Sequence, residues 1–145
     1  MNKLLFLPES NDKSILRKKK SEADRLCESV IKGMQEKKAS DIVMMDLREI
    51  KGAVADFFIM CSASSDKQVG AIADEVEEMV FKETKEYPWH VEGIENKEWI
   101  LLDYVNVVVH VFQSGKRQFY GLEELWGDAK SSRFDLELSS QNFKS

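Results

Sequence analysis

Few of this chain's residues have the types and spacing that chemistry needs. The two histidines, His90 and His110, fall in different apolar segments, and the two cysteines, Cys27 and Cys61, lie far apart. No His/Cys cluster has zinc spacing, so no metal site is expected. Ser62 or Cys61 could serve as a nucleophile only with an adjacent base and an orienting partner, and sequence proximity supplies neither. Phosphoryl or nucleotidyl transfer commonly uses paired carboxylates to hold two metals. No Asp-x-Asp pair occurs on a predicted strand, and Asp135-x-Glu137 lies near the C-terminus. The turn Ser62-Ala63-Ser64-Ser65, between a strand and a helix N-terminus, could hold an anion. The same hydroxyls read better as satisfying the helix's own orphan amides, since neither a Gly-rich loop nor a lysine motif accompanies them. No cofactor is expected.

One further constellation points to binding. In Trp99-Ile100-Leu101-Leu102-Asp103, side chains alternate across a strand, so Trp99, Leu101 and Asp103 share one face. An unpaired carboxylate in a core is costly. That face should therefore reach solvent at the Asp103 end, leaving Trp99 and Leu101 partly exposed. A tryptophan beside an aliphatic and a carboxylate has the anatomy of a binding hot spot. The alternative is that Trp99 packs beneath a neighbouring helix.

The elements that must position this face are legible from apolar patterning. The run Trp99 to Phe112 is the longest apolar stretch, broken at Asp103-Tyr104-Val105-Asn106, where Asp and Asn favour a turn. It reads as a hairpin of two strands, Trp99–Asp103 and Val107–Phe112, with His110 as a hydrogen-bonded core histidine. Ser21 is a candidate N-cap for a helix whose Ala23, Leu26, Val30 and Met34 form one apolar face and which ends near Lys37. Asp41–Leu47 and Asp56–Cys61 read as strands. Ser65 with Gln68 matches a capping box opening a second helix, with Val69, Ile72, Ala73, Val76, Met79 and Val80 as its stripe. Pro88–Glu92 fits a short edge strand. Lys116–Ala129 reads as a last helix bearing Phe119, Tyr120, Leu122, Leu125 and Trp126. The order αββαβββα gives an α/β fold: a single domain with a mixed β-sheet packed with helices.

Length and charge set the remaining bounds. The 145 residues, 43% hydrophobic, suit one domain. Residues 1–20 form an N-terminal arm ending in Arg17-Lys18-Lys19-Lys20. Residues 21–130 form the domain, and residues 131–145 a polar, flexible tail. A formal charge of -5 argues against a broad nucleic-acid surface. The basic run could touch phosphate but reads better as a solvated lead-in to the first helix. No apolar run approaches the ~20 residues of a membrane span. Leu4–Leu7 is too short for a signal peptide, and buried cysteines suit a reducing compartment. A cytoplasmic location is expected.

Three blocks together resemble one family. The first is Ala55-Asp56-Phe57-Phe58-Ile59-Met60-Cys61-Ser62 with Ser64, Gln68-Val69 and Ala71-Ile72-Ala73-Asp74. The second is Glu92-Gly93, Trp99, Leu102-Asp103 and Val107-Val108-Val109-His110-Val111-Phe112. The third is Arg117, Tyr120, Leu122-Glu123, Leu125-Trp126 and Asp128-Ala129. In this succession, over Ala23 to Ala129, the chain resembles the ribosomal silencing factor, or Iojap-like, family. Ala63 departs from the family's usual glycine, which alters that turn slightly. Asn106 replaces a frequent aspartate and leaves the hairpin intact.

The resemblance implies a nucleotidyltransferase-like fold without catalytic carboxylates, hence no enzyme, and a homodimer in the bacterial cytoplasm. It implies binding to the fourteenth protein of the large ribosomal subunit, which blocks joining of the small subunit and represses translation. No direct nucleic-acid binding and no membrane are required. Trp99 would then serve as the apolar anchor, with Leu101 beside it and Asp103 pairing with a basic side chain. Tyr120, Leu122, Trp126, Val69 and Ile72 are candidates for core or dimer seam. An active nucleotidyltransferase holding phosphate at Ser62 and Ser64 is the alternative function.

Overall fold

A computed structural model describes residues 21–116, 121 and 129–134. Helix α1, Glu22–Glu36, starts where Ser21 Oγ accepts from the Asp24 amide at 3.0 Å, satisfying one orphan donor of its first turn. Strands β1 (Ser40–Asp46) and β2 (Phe57–Ala63) follow, then helix α2 (Asp66–Thr84). Strands β3 (His90–Glu92), β4 (Trp99–Asp103), β5 (Val107–Gln113) and β6 (Lys130–Arg133) complete the described chain. The six strands form one sheet in the order β3-β4-β5-β2-β1-β6. β2 and β5 pair in parallel, and every other neighbouring pair is antiparallel. The α/β class and the mixed sheet are as the sequence implied.

Burial explains the order. β2 is buried at every position and β5 at all but its last, so these nearly unbroken apolar strands take the centre, where both faces are covered. α1 and α2 pack together on one face, over a core that includes Val30, Met34, Ile59, Ile72, Val76, Leu102 and Val109. The two helices approach closely because Gly33 faces α2: a Cβ there would stand 2.9 Å from the Val76 Cα. Ser29 Oγ donates to Glu83 at 2.7 Å and Lys32 Nζ to the same carboxylate at 2.8 Å, fastening α1 to the end of α2. The opposite face of the sheet carries a second apolar cluster of Val43, Met45, Leu47, Phe58, Met60, Val108 and Phe112.

Strand pairing continues past residue 130. Lys130–Arg133, whose last three residues the polar composition places in a flexible tail, pair with β1 from Asp46 to Val43. The Phe134 amide continues the ladder to the Ile42 carbonyl at 2.9 Å, and Gln35 Nε2 reaches the Phe134 carbonyl. The strand is exposed throughout. Backbone pairing holds it, and Lys-Ser-Ser-Arg carries no apolar alternation that patterning could detect. The arm at 1–20, the rest of the tail, and almost all of the helix expected over Lys116–Ala129 lie outside the described residues.

Candidate binding face

β4 places Trp99, Leu101 and Asp103 on the sheet face away from α1 and α2, each half-buried, while Ile100 and Leu102 are buried on the helix side. The register sets Trp99 opposite Phe112, Leu101 opposite His110 and Asp103 opposite Val108 on β5. On the other flank, Asp103 faces His90 and Leu101 faces Glu92 of β3. The three residues singled out from the sequence therefore form one row, bordered on one side by aromatic rings and on the other by an acid–imidazole pair. His90 Nε2 and Glu92 Oε2 lie 2.6 Å apart at the surface.

Trp99 does not project freely. Its Nε1–H donates to His110 Nδ1 at 3.0 Å, and its ring stacks on Phe112 with centroids 5.3 Å apart and planes 24° from parallel. One ring face rests on the molecule's own sheet, and part of the indole remains accessible. Trp99 packs on its own sheet, beside other strands and not beneath α1 or α2, and still contributes to the surface. Asp103 is anchored too, because its Oδ1 accepts from the Val105 amide at 2.8 Å. The second carboxylate oxygen completes the charged end of the row.

His110 is 2% exposed, with Phe58 edge-on at 4.8 Å and Phe112 beyond it. Since Nδ1 accepts from Trp99, the neutral ring carries its proton on Nε2. Nε2 is buried and makes no hydrogen bond to the described residues. Burial drives the His110 pKa down from 6.5 to about 3, so the ring stays neutral at physiological pH. Its only lone pair is committed to the indole, which leaves none for a metal or for proton abstraction. His110 is the hydrogen-bonded core histidine that its apolar surroundings suggested.

The other chemical candidates are dispersed. Cys27 and Cys61 are both buried, and desolvation pushes the Cys27 thiol up to about 12, far from a reactive thiolate. Ser62 is buried in β2. Ser65 Oγ caps the Gln68 amide at 3.1 Å, while Gln68 Oε1 accepts from the Ser64 amide and hydroxyl at 2.7 and 2.9 Å. Gln68 Nε2 also donates to the Lys37 carbonyl, tying the end of α1 to the start of α2. The serine-rich turn is thus engaged in capping and in joining the helices. Among the described residues no group of His, Cys, Asp and Glu is placed to hold a metal ion.

Sequence reasoning passes over the most exposed aromatics. Trp89 is 79% exposed and Tyr87 70% exposed, with Tyr87 stacked on Phe81 of α2 at 4.6 Å. Both lead into β3, the terminal strand of the sheet. The signal available is Pro88 at the start of an edge strand, which leaves the adjoining side chains uncovered.

Comparison with known proteins agrees with this architecture. The model of a family described as "Ribosomal silencing factor during starvation" matches residues 20–145. A ribosomal silencing factor from Halalkalibacterium halodurans is 39% identical over 114 residues, covering 79% of this chain and 96% of its own. One from Bacillus subtilis is 39% identical over 104 residues, covering 72% of this chain and 86% of its own. A crystal structure of a Chromobacterium violaceum protein superposes with a TM-score of 0.68 at 31% identity, over 74% of this chain and 88% of that one.

Proposed function

This chain belongs to the ribosomal silencing factor family, and from that premise we propose that it binds the large ribosomal subunit and keeps the small subunit from joining, so repressing translation. The observation that carries the proposal is the Trp99–Leu101–Asp103 row, an apolar pair ending in a carboxylate on a face neither described helix covers. An aromatic anchor held by its own hydrogen bond loses little entropy on docking. Asp103 supplies a charge for a basic partner, and a net charge of -5 favours encounter with one. A basic protein of the large subunit, the fourteenth by the family resemblance, is the proposed contact. Exclusion of the small subunit is then steric and requires no catalysis. No described helix is long and apolar enough to cross a membrane, and the proposed site of action is the cytoplasm. Self-association into a homodimer belongs to the same reading.

The test is sedimentation through sucrose. Added protein should travel with separated large subunits, be absent from intact couples and shift the balance toward free subunits. Trp99→Ala should lose most of this binding, since truncating an anchor costs ~2 kcal/mol or more. A folded Trp99→Ala protein that co-sediments as strongly as the unaltered chain would remove the row from the docking face.

A further inference from the structure

We propose that the C-terminal half of α2, where it meets the β4–β5 hairpin, binds a linear polyamine, with the Tyr104 hydroxyl as its floor and Asp74, Glu77 and Glu86 along its length. The site lies on the helix side of the sheet and stands independently of the Trp99 row on the opposite face. Tyr104 is 5% exposed, and its hydroxyl is buried with no hydrogen-bond partner. A buried polar group left unpaired costs free energy, so the fold gains nothing from this oxygen. Carboxylates gather beside it. Asp74 and Glu77 are three residues apart on α2 and share one face. Past the end of α2, Lys85 takes a left-handed φ of +66° that turns the chain back. The Glu86 amide then donates to Thr84 Oγ1 at 3.3 Å, and the Trp89 amide reaches the Asp103 carbonyl at 2.7 Å. The segment carrying Glu86 therefore runs beside Asp103 and Tyr104. Burial first, then the charges of Glu77 and Glu86, push the Tyr104 pKa up, so the hydroxyl stays protonated within electrostatic reach of both.

These charges have no cation of their own. Elsewhere half-buried carboxylates are paired, Asp46 with Arg48 at 2.7 Å and Glu83 with Lys32 at 2.8 Å. Among the described residues Asp74, Glu77 and Glu86 join no ion pair. The lysines at this end of α2 are drawn elsewhere: Lys85 Nζ lies 5.3 Å over the Phe81 ring, and Lys82 acts on Glu83. Burial, and then the neighbouring Asp74, raise the Glu77 pKa, a cost to its charged form that a bound cation would offset. The last carbonyls of α2 add partial negative charge. Glu77 and Glu86 are half-buried and Asp74 is exposed, so the cluster opens to solvent. A compact metal ion does not suit it, because among the described residues no group of His, Cys, Asp and Glu is placed to hold one. The carboxylates are strung out instead, from Asp74 past Thr84, about 15 Å of helix axis. One ammonium cannot cover that span, and a flexible chain of them can. Ammonium groups carry only donors, which suits carboxylates and the unpartnered phenol oxygen alike.

Calorimetric titration of the full chain with spermidine, at about 0.15 M salt, tests the site. The unaltered chain should bind one equivalent saturably, and its thermal midpoint should rise with spermidine. Glu77→Gln and Tyr104→Phe should each weaken binding about tenfold, as loss of one charge-assisted hydrogen bond does. Without ligand neither should lower the midpoint, since each removes a group that the fold leaves unanswered; a purely structural role would lower it. Glu86→Gln lies outside the core and should show the same loss of binding even if Tyr104→Phe fails to fold. Glu78→Gln, exposed and outside the cluster, should bind like the unaltered chain. Weakening by Glu78→Gln equal to that by Glu77→Gln would reduce the effect to counter-ion attraction and overturn the site. Neither heat nor a midpoint shift with the unaltered chain would overturn it as well. Tighter binding of trilysine than of spermidine would assign the cluster to lysine side chains of a protein and overturn the polyamine.

Discussion

The Trp99 indole N–H donates to His110 Nδ1 at 3.0 Å, joining a half-buried residue of the proposed docking face to a buried residue of the central sheet. His110→Phe preserves a ring that can stack on Phe112 and removes the acceptor. The indole N–H is then left unpaired in a partly desolvated place, which costs about 1–3 kcal/mol. Urea denaturation should show that loss. In a Trp99→Phe background, where no N–H remains, His110→Phe should cost less by about 1 kcal/mol, and binding to large subunits should follow the same pattern. Equal losses in both backgrounds would mean that His110 contributes only bulk.

The same residue makes stability depend on acidity. His110 titrates near 6.5 when unfolded and is driven down to about 3 in the fold by burial. Between those values the unfolded chain binds the additional proton. Stability attributable to His110 is therefore intact above about pH 6.5 and falls as pH drops toward 3, by up to about 1.4 kcal/mol per pH unit. Paired carboxylates add losses of the same sign: Asp46 is held low chiefly by Arg48 and Glu83 chiefly by Lys32. Subtracting the His110→Phe profile isolates the imidazole contribution. Parallel profiles for the two proteins from pH 6.5 to 4 would contradict the buried neutral ring.

Gly93 fixes where β4 begins. Its φ is +88°, and a Cβ placed on it would stand 2.0 Å from the carbonyl oxygen of Trp99. No rotamer can relieve a clash with backbone, so Gly93→Ala must move either the β3–β4 connection or the first residue of the docking row. A loss of about 3 kcal/mol or more is expected, read as a lower urea midpoint. The folded fraction should also show an altered Trp99 indole resonance. A Gly93→Ala protein with the unaltered chain's midpoint would show that the two segments do not pack this closely.

How far the sequence reveals this arrangement depends on what holds each part together. Apolar runs announce β2, β4 and β5, and Ser21 and Ser65 announce both helix starts, because these signals are local. The row Trp99, Leu101, Asp103 follows from strand alternation alone. The Trp99–His110 bond is not legible in this way, since it joins residues 11 apart through the register of a hairpin. Trp89 escapes notice because Pro88 announces an edge strand without telling which adjoining side chain stands clear of its neighbours. β6 escapes because backbone pairing with β1 and one exposed ion pair, Lys130 with Glu49, hold it, and neither leaves an apolar pattern.

The hairpin turn that follows Asp103 holds a strained residue. Val105 has φ of +76°, and the Asn106 amide donates to the Tyr104 carbonyl at 2.9 Å, which together describe the rare, strained γ-turn with Val105 at its centre. A β-branched side chain disfavours positive φ by about 1–2 kcal/mol, and Val105 is largely exposed, so burial recovers little of that cost. Asp103 Oδ1 holds the turn by accepting from the Val105 amide, a bond that glycine or isoleucine at 105 would keep. Val105→Gly removes the steric term at an entropic cost of ~0.5–1 kcal/mol. A net gain of up to about 1 kcal/mol should appear as a higher thermal midpoint, with large-subunit binding unchanged. Val105→Ile, which keeps the branch, should give no gain. If glycine instead lowers the midpoint, the valine is contributing packing that its exposure conceals, and the turn is not under strain.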